Sequence, residues 1–181
     1  PMIEHGLTEQ NLTVQDLTAI AFSRGPGSFS GVRINAAVTQ ALAWSCDTPV
    51  IAVSTLQALA QAAYRSEGLT QVTAVLDARM NEVYIANFVL DDHGIMHAQD
   101  AEQVLSYAAA LHVQKFQLIG SGAALVQADA IDFKHLHATA QDIASIAREH
   151  AMRQDWVSAE QALPVYLRDN AWKKISEQGK P

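Results

Sequence analysis

Residues 24–34 read Arg-Gly-Pro-Gly-Ser-Phe-Ser-Gly-Val-Arg-Ile, three glycines and a proline between a short apolar run and a helical pattern. Glycine-rich corners of this kind commonly face a phosphate, because backbone N–H groups converge on the start of a helix. The standard phosphate motifs nevertheless fail here. A Walker loop needs lysine and a hydroxyl residue after its last glycine, and Gly31 is followed by Val32 and Arg33. The dinucleotide fingerprint needs G-x-G-x-x-G, whereas Gly25, Gly27 and Gly31 are spaced G-x-G-x-x-x-G, and the next strand ends at Ser54 and Thr55 instead of an acid. A nucleophile elbow would put serine where Phe29 stands. Two readings remain open: a corner with room for an anion, and a structural corner that uses glycine for positive φ and close packing.

On either side the pattern alternates. Thr18–Ser23 is a short apolar run that predicts a buried strand, and Gly31–Cys46 predicts a helix with Ile34, Val38, Ala41, Leu42 and Ser45 on one stripe. Pro49 restarts an extended run through Ser54, and a second helix follows, closed by Gly68. Strand, helix, strand, helix is the signature of an α/β protein with a parallel sheet. The second half changes: 72–77 and 82–92 flank Ala-Arg-Met-Asn and predict a hairpin. Residues 102–112 are expected to be helical, 115–120 a strand, 121–130 a helix and 131–137 extended. Thr139 with Asp142 opens a last helix as a capping-box variant. The first ten residues, PMIEHGLTEQ, set Met2, Ile3 and Leu7 roughly on one helical face.

Bulk properties narrow the function. The chain has 181 residues, 49% hydrophobic and 17% charged, enough for one compact unit or two small lobes. A formal net charge of −7 gives no basic footprint for direct nucleic-acid binding, so a role in an RNA pathway would run through a protein partner. Cys46 is the only cysteine, which excludes an internal disulfide and favours a reducing, cytoplasmic setting. No apolar stretch is long enough to span a bilayer.

Side-chain chemistry offers no catalytic set. His135 and His137 would share one face of a strand, but no third metal ligand stands at a useful spacing, and the other histidines are scattered. Cys46 has no basic neighbour and reads as a buried structural thiol. Asp77 and Arg79 at the hairpin tip form either a charged pair reaching a cleft or a solvated turn. Trp172, Lys173 and Lys174 read as a tail that packs its indole and leaves its ammonium groups in water.

Four segments together resemble the bacterial TsaB family: Arg24–Ile34, the strand Pro49–Leu56, the hairpin Asp77–Tyr84 and the tail Pro164–Lys174. They occur in order over nearly the whole chain. The resemblance implies an α/β fold of the actin-like ATPase type in two lobes, with residues 1–70 the remainder of the N-terminal lobe and 71–181 the C-terminal lobe including the tail. Members of the family begin with a strand hairpin bearing an Asp-Thr motif that is absent here, so an N-terminally shortened member is expected. The implied function is non-catalytic: a partner of the TsaD enzyme, with the ATPase TsaE, in making threonylcarbamoyladenosine at position 37 of tRNAs that read codons beginning with A.

The same resemblance implies no cofactor. Where the catalytic relative carries metal-binding histidines, this chain has Ser54, Leu56 and Ala58, and its phosphate loop is replaced by the bulk of Ala78, Arg79, Met80 and Asn81. Gly120, Ser121 and Gly122 resemble the superfamily's adenosine-side turn. Gly25, Gly27 and Gly31 become a phosphate-type corner kept as architecture. The expected TsaD contacts are Met2, Ile3, Val32, Ile34, Asn35, Val38 and Leu42, on a surface that would also pair two copies of the chain. The rival expectation is a metallopeptidase or a nucleotide-dependent transferase of the same superfamily.

Overall fold

The computed structural model describes residues 2–131, 133 and 135–168. The tail reading of Trp172, Lys173 and Lys174 lies outside them. Two sheets organise the chain. In the first, β1 (Ile20–Ser23) and β2 (Val50–Val53) pair in parallel, Ile20 opposite Val50 and Ser23 opposite Val53. Because side chains alternate along a strand, Ile20, Phe22, Val50 and Ala52 face α2 (Phe29–Cys46), and Ala19, Ala21, Ile51 and Val53 face the opposite way. That second face is covered by α6 (Ala140–Met152) through Ile146 and Ala147. The expected boundary at residue 70 is therefore crossed, since α6 and the Val157–Val50 bridge return to the first sheet.

The second sheet runs β5 (Met96–Ala98), β4 (Glu82–Leu90), β3 (Gln71–Arg79), β7 (Gln117–Ile119), with β6 (Gln103–Ser106) on the other half of β4. Between the sheets lies α3 (Thr55–Glu67), an alanine-rich helix capped by Ser54, whose Oγ accepts from the N–H groups of Leu56 and Gln57. Gly68 ends it in the left-handed conformation at φ 69°. Its Leu56, Leu59, Ala60 and Ala63 pack on Val72, Ala74, Ala86 and Phe88, while Ala58 joins the first core. On the far face, α4 (Tyr107–Val113) and α5 (Ala123–Val126) cover Val75, Val83, Ile85 and Leu118.

Buried polar groups are paired across elements. Thr73 and Asn87 face each other in register, and the Thr73 hydroxyl donates to Asn87 Oδ1 at 2.6 Å. The Asn87 amide then donates to Asp100 and to the Val113 carbonyl. Asp142, 1% exposed, accepts two bonds from Arg65 at 2.7 and 3.1 Å and tethers α6 to α3. Burial alone would raise its pKa. The bonds from Arg65 and from the Thr139 N–H and hydroxyl outweigh that and hold the carboxyl below its ordinary value. This is the expected capping box at Thr139 and Asp142.

Several local expectations are corrected. Residues 103–106 are strand β6, not the start of a helix: Ser106 caps α4 by accepting from the Ala109 N–H. The helix expected over 121–130 is only Ala123–Val126. His135 and His137 share no strand; His135 lies 2.9 Å from Glu67 Oε1. Cys46 is only half-buried, its thiol donating to the Leu42 carbonyl at 3.0 Å.

Candidate functional site

The glycine corner joins β1 to α2. Ser28 caps the helix, accepting from the Gly31 N–H at 3.3 Å. Positive φ belongs to Gly25, at 98°, and not to Gly27 or Gly31. Gly31 sits exposed in the first helical turn, and a Cβ there would meet the Ser28 Oγ at 2.6 Å. Of the three, only Gly25 thus supplies the expected positive φ. Its carbonyl accepts from the Thr55 N–H, and a Cβ on either Gly25 or Gly27 would press on Val32 Cγ1.

This corner forms one wall of a 660 Å³ cleft. The other walls are the β3–β4 hairpin, Ser121 and the extended strap 165–168. The strap is fastened at both ends: the Val165 N–H donates to the Arg24 carbonyl, and Arg168 donates to the Ala78 carbonyl and pairs with Glu82. Arg33 stacks over the Phe29 ring at 3.6 Å and donates to the Tyr166 hydroxyl at 2.8 Å. Asp77 and Arg79 do meet, at 3.3 Å, and both line the cleft. At the hairpin tip Arg79, Met80 and Asn81 all have positive φ, 62°, 56° and 61°, and Arg168 reaches the Met80 sulfur.

The Gly120–Gly122 turn is filled by protein. A Cβ on Gly120 would run into the Val75 carbonyl and lie 2.6 Å from Leu59 Cδ2; one on Gly122 would lie 2.6 Å from Val75 Cγ1. The segment that opens α3 is equally occupied: Ser54 caps the helix, and Leu56 and Ala58 are core. Among the described residues, the cleft lining contains no histidine, cysteine or lysine.

The second feature is the outer face of α2. Its buried side is Val32, Ala36, Thr39 and Ala43. The opposite side carries Ile34 at 65% exposure and Val38 at 48%, with Ala37, Ala41 and Ser45 exposed and Leu42 half-buried. Trp44, 71% exposed, flanks the same arc and was missing from the expected contacts. Its signal was available, since a large aromatic off the buried face of an alanine-rich helix is a typical interface anchor. In α1 (Met2–Glu9) no residue is buried, and Met2 is 87% exposed. Two expected contacts are corrected. Val32 is 9% exposed and packs beneath the glycine corner. Asn35 is half-buried and donates to the Ser23 carbonyl at 2.9 Å, pinning α2 to β1.

The family model for TsaD, tRNA N6-adenosine threonylcarbamoyltransferase, matches residues 1–175. The tRNA threonylcarbamoyladenosine biosynthesis protein TsaB of Escherichia coli K12 is 38% identical, over 97% of this chain and 81% of that protein. The chain belongs to the TsaB family. Its Haemophilus influenzae member is 35% identical over 97% of this chain and 80% of its own length. The solved structure of YeaZ from Pseudomonas aeruginosa superposes with a TM-score of 0.83 at 40% identity, covering 92% of this chain and 81% of that one. The chain thus has the α/β, actin-like ATPase-type architecture expected from the four motifs.

Proposed function

We propose that this chain is a non-catalytic subunit in tRNA threonylcarbamoyladenosine biosynthesis, and that the outer face of α2 docks it onto a TsaD-type transferase. The names borne by its relatives support the pathway. The observation that carries the docking role is the exposed Ile34 and Val38 with half-buried Leu42, flanked by exposed Trp44, on a helix whose other side is already core. Exposed apolar arcs of this kind mark protein contacts. Met2 and Ile3 on α1 extend the apolar surface available. In TsaD's absence the same face would pair two copies of the chain, and TsaE would join the heterodimer. The two sheets stand for the two lobes, and the setting is the cytoplasm.

The non-catalytic role is supported by what stands where the resemblance sets the catalytic relative's ligands and loops: buried Leu56 and Ala58, a packed Gly120–Gly122 turn and the hairpin tip Arg79–Asn81. A second reading, a peptidase or carbamoyl transferase acting alone, draws on the superfamily and on a solved relative described as having similarity to peptidase YEAZ. Reconstitution separates the two. Threonylcarbamoyl transfer to tRNA should require added TsaD and TsaE, and the isolated chain should have neither transferase nor peptidase activity. Turnover by the chain alone would establish the second reading.

A further inference from the structure

We propose that Asp91, His97 and Glu149 form a binding site for one first-row divalent cation that fastens the β4–β5 turn to α6. His97 Nε2 stands at the focus, 2.9 Å from Asp91 Oδ2 and 3.5 Å from Glu149 Oε2, and the three atoms all lie within 4.8 Å of one another. Four-coordinate zinc with N and O donors at about 2.0–2.1 Å places its ligand atoms roughly 3.3 Å apart, so small side-chain movements admit an ion. Asp91 and His97 stand on either side of the β4–β5 turn, and Glu149 comes to them from α6, distant in sequence.

Orientation is already fixed. Asp91 Oδ1 accepts the N–H groups of His93 and Ile95 at 2.9 and 2.8 Å, leaving Oδ2 for the cluster. Glu149 Oε1 is taken by Arg153, leaving Oε2. Each carboxylate thus presents one oxygen, the monodentate arrangement in which outer-shell bonds hold metal ligands. Two carboxylates against the Arg153 guanidinium leave the spot one charge negative while the imidazole is neutral. Access is open on the side of His97 and Glu149, which line a 340 Å³ cleft with Arg24, Glu102, His150 and Arg153. A nitrogen donor with two carboxylate oxygens suits zinc or a similar transition metal and does not suit magnesium, which prefers oxygen and water.

The test uses the tag-free full chain after dialysis against a chelator, with zinc chloride as probe. Calorimetric titration should give one ion per chain, and excess zinc should raise Tm by several degrees, as any ligand specific to the folded state does. Magnesium should leave Tm unchanged. His97→Gln and Glu149→Gln should each fold and lose both the binding and the shift, while His135→Gln, altering a histidine–glutamate pair elsewhere, should keep them. X-ray absorption at the zinc edge should report a nitrogen and oxygen shell with one imidazole. No zinc-dependent shift, a shift that survives His97→Gln, or one lost equally in His135→Gln would overturn the site; the absorption spectrum decides if either Gln variant fails to fold.

Discussion

Gly25 holds φ at 98°, where an L side chain is strained, and an added Cβ would also press on Val32 at 3.3 Å and on the Val165 carbonyl. Gly25→Ala should therefore cost about 1–3 kcal/mol, lowering Tm by several degrees. Gly31 differs. Alanine there gains about 1 kcal/mol of helix propensity but crowds the Ser28 cap, worth a similar amount, so Gly31→Ala should melt close to wild type. Calorimetric scans of both variants check the pair, and a larger loss at Gly31 would contradict the assignment of strain to Gly25. Asp142 sets a pH dependence. Its folded pKa lies below the unfolded value, so its stabilisation is present above about pH 4 and is lost as pH falls through the folded value. Asp142→Asn should cost about 1.5–3 kcal/mol at pH 7, because it weakens the charged hydrogen bonds that a buried carboxylate takes from the partly exposed Arg65. Urea unfolding should show the gap from wild type narrowing toward pH 3; a gap constant with pH would mean that the carboxylate's charge is not what matters.

At the scale of elements, α2 shows how far periodicity reaches. The stripe through Ile34, Val38 and Leu42 was legible because nothing polar interrupts it, yet alanine on every side of the helix blurred the inner face, and Val32 was placed outside. Distance from the solvent face decides this, and a helix this apolar does not encode it in its own sequence. Strand β6 was missed for a related reason: four residues pairing with β4 carry too little alternation to outweigh the helix formers that follow. The Asp91–His97–Glu149 cluster was invisible, since α6 meets the β4–β5 hairpin only in three dimensions. The hairpin, by contrast, was plain from its flanking runs, although Met80 and Asn81 replace the usual asparagine-glycine for two positive φ values. For α2 itself, Trp44→Ala should leave Tm within about a degree, because exposed substitutions change stability by about 0.5 kcal/mol or less. It should weaken binding to TsaD at least tenfold, as loss of an aromatic interface anchor does. Unchanged affinity would remove Trp44 from the interface.

Across the whole molecule, two sheets share α3, and α6, the Arg24–Glu102 pair and the strap 165–168 tie them together. A cleft lies between the glycine corner and the hairpin, and the exposed apolar residues of α2 lie on its outer face. The most direct measurement is co-elution of Val38→Glu with TsaD on gel filtration, with circular dichroism of the variant alone. Val38 is half exposed, so glutamate there should leave the fold and Tm intact. Buried at an interface without a partner, the same carboxylate costs several kcal/mol and should abolish co-elution, and with it tRNA modification in the reconstituted system. Val32→Glu, on the inner face, should instead lose the folded spectrum. A folded Val38→Glu that still co-elutes with TsaD and supports modification would contradict docking through α2.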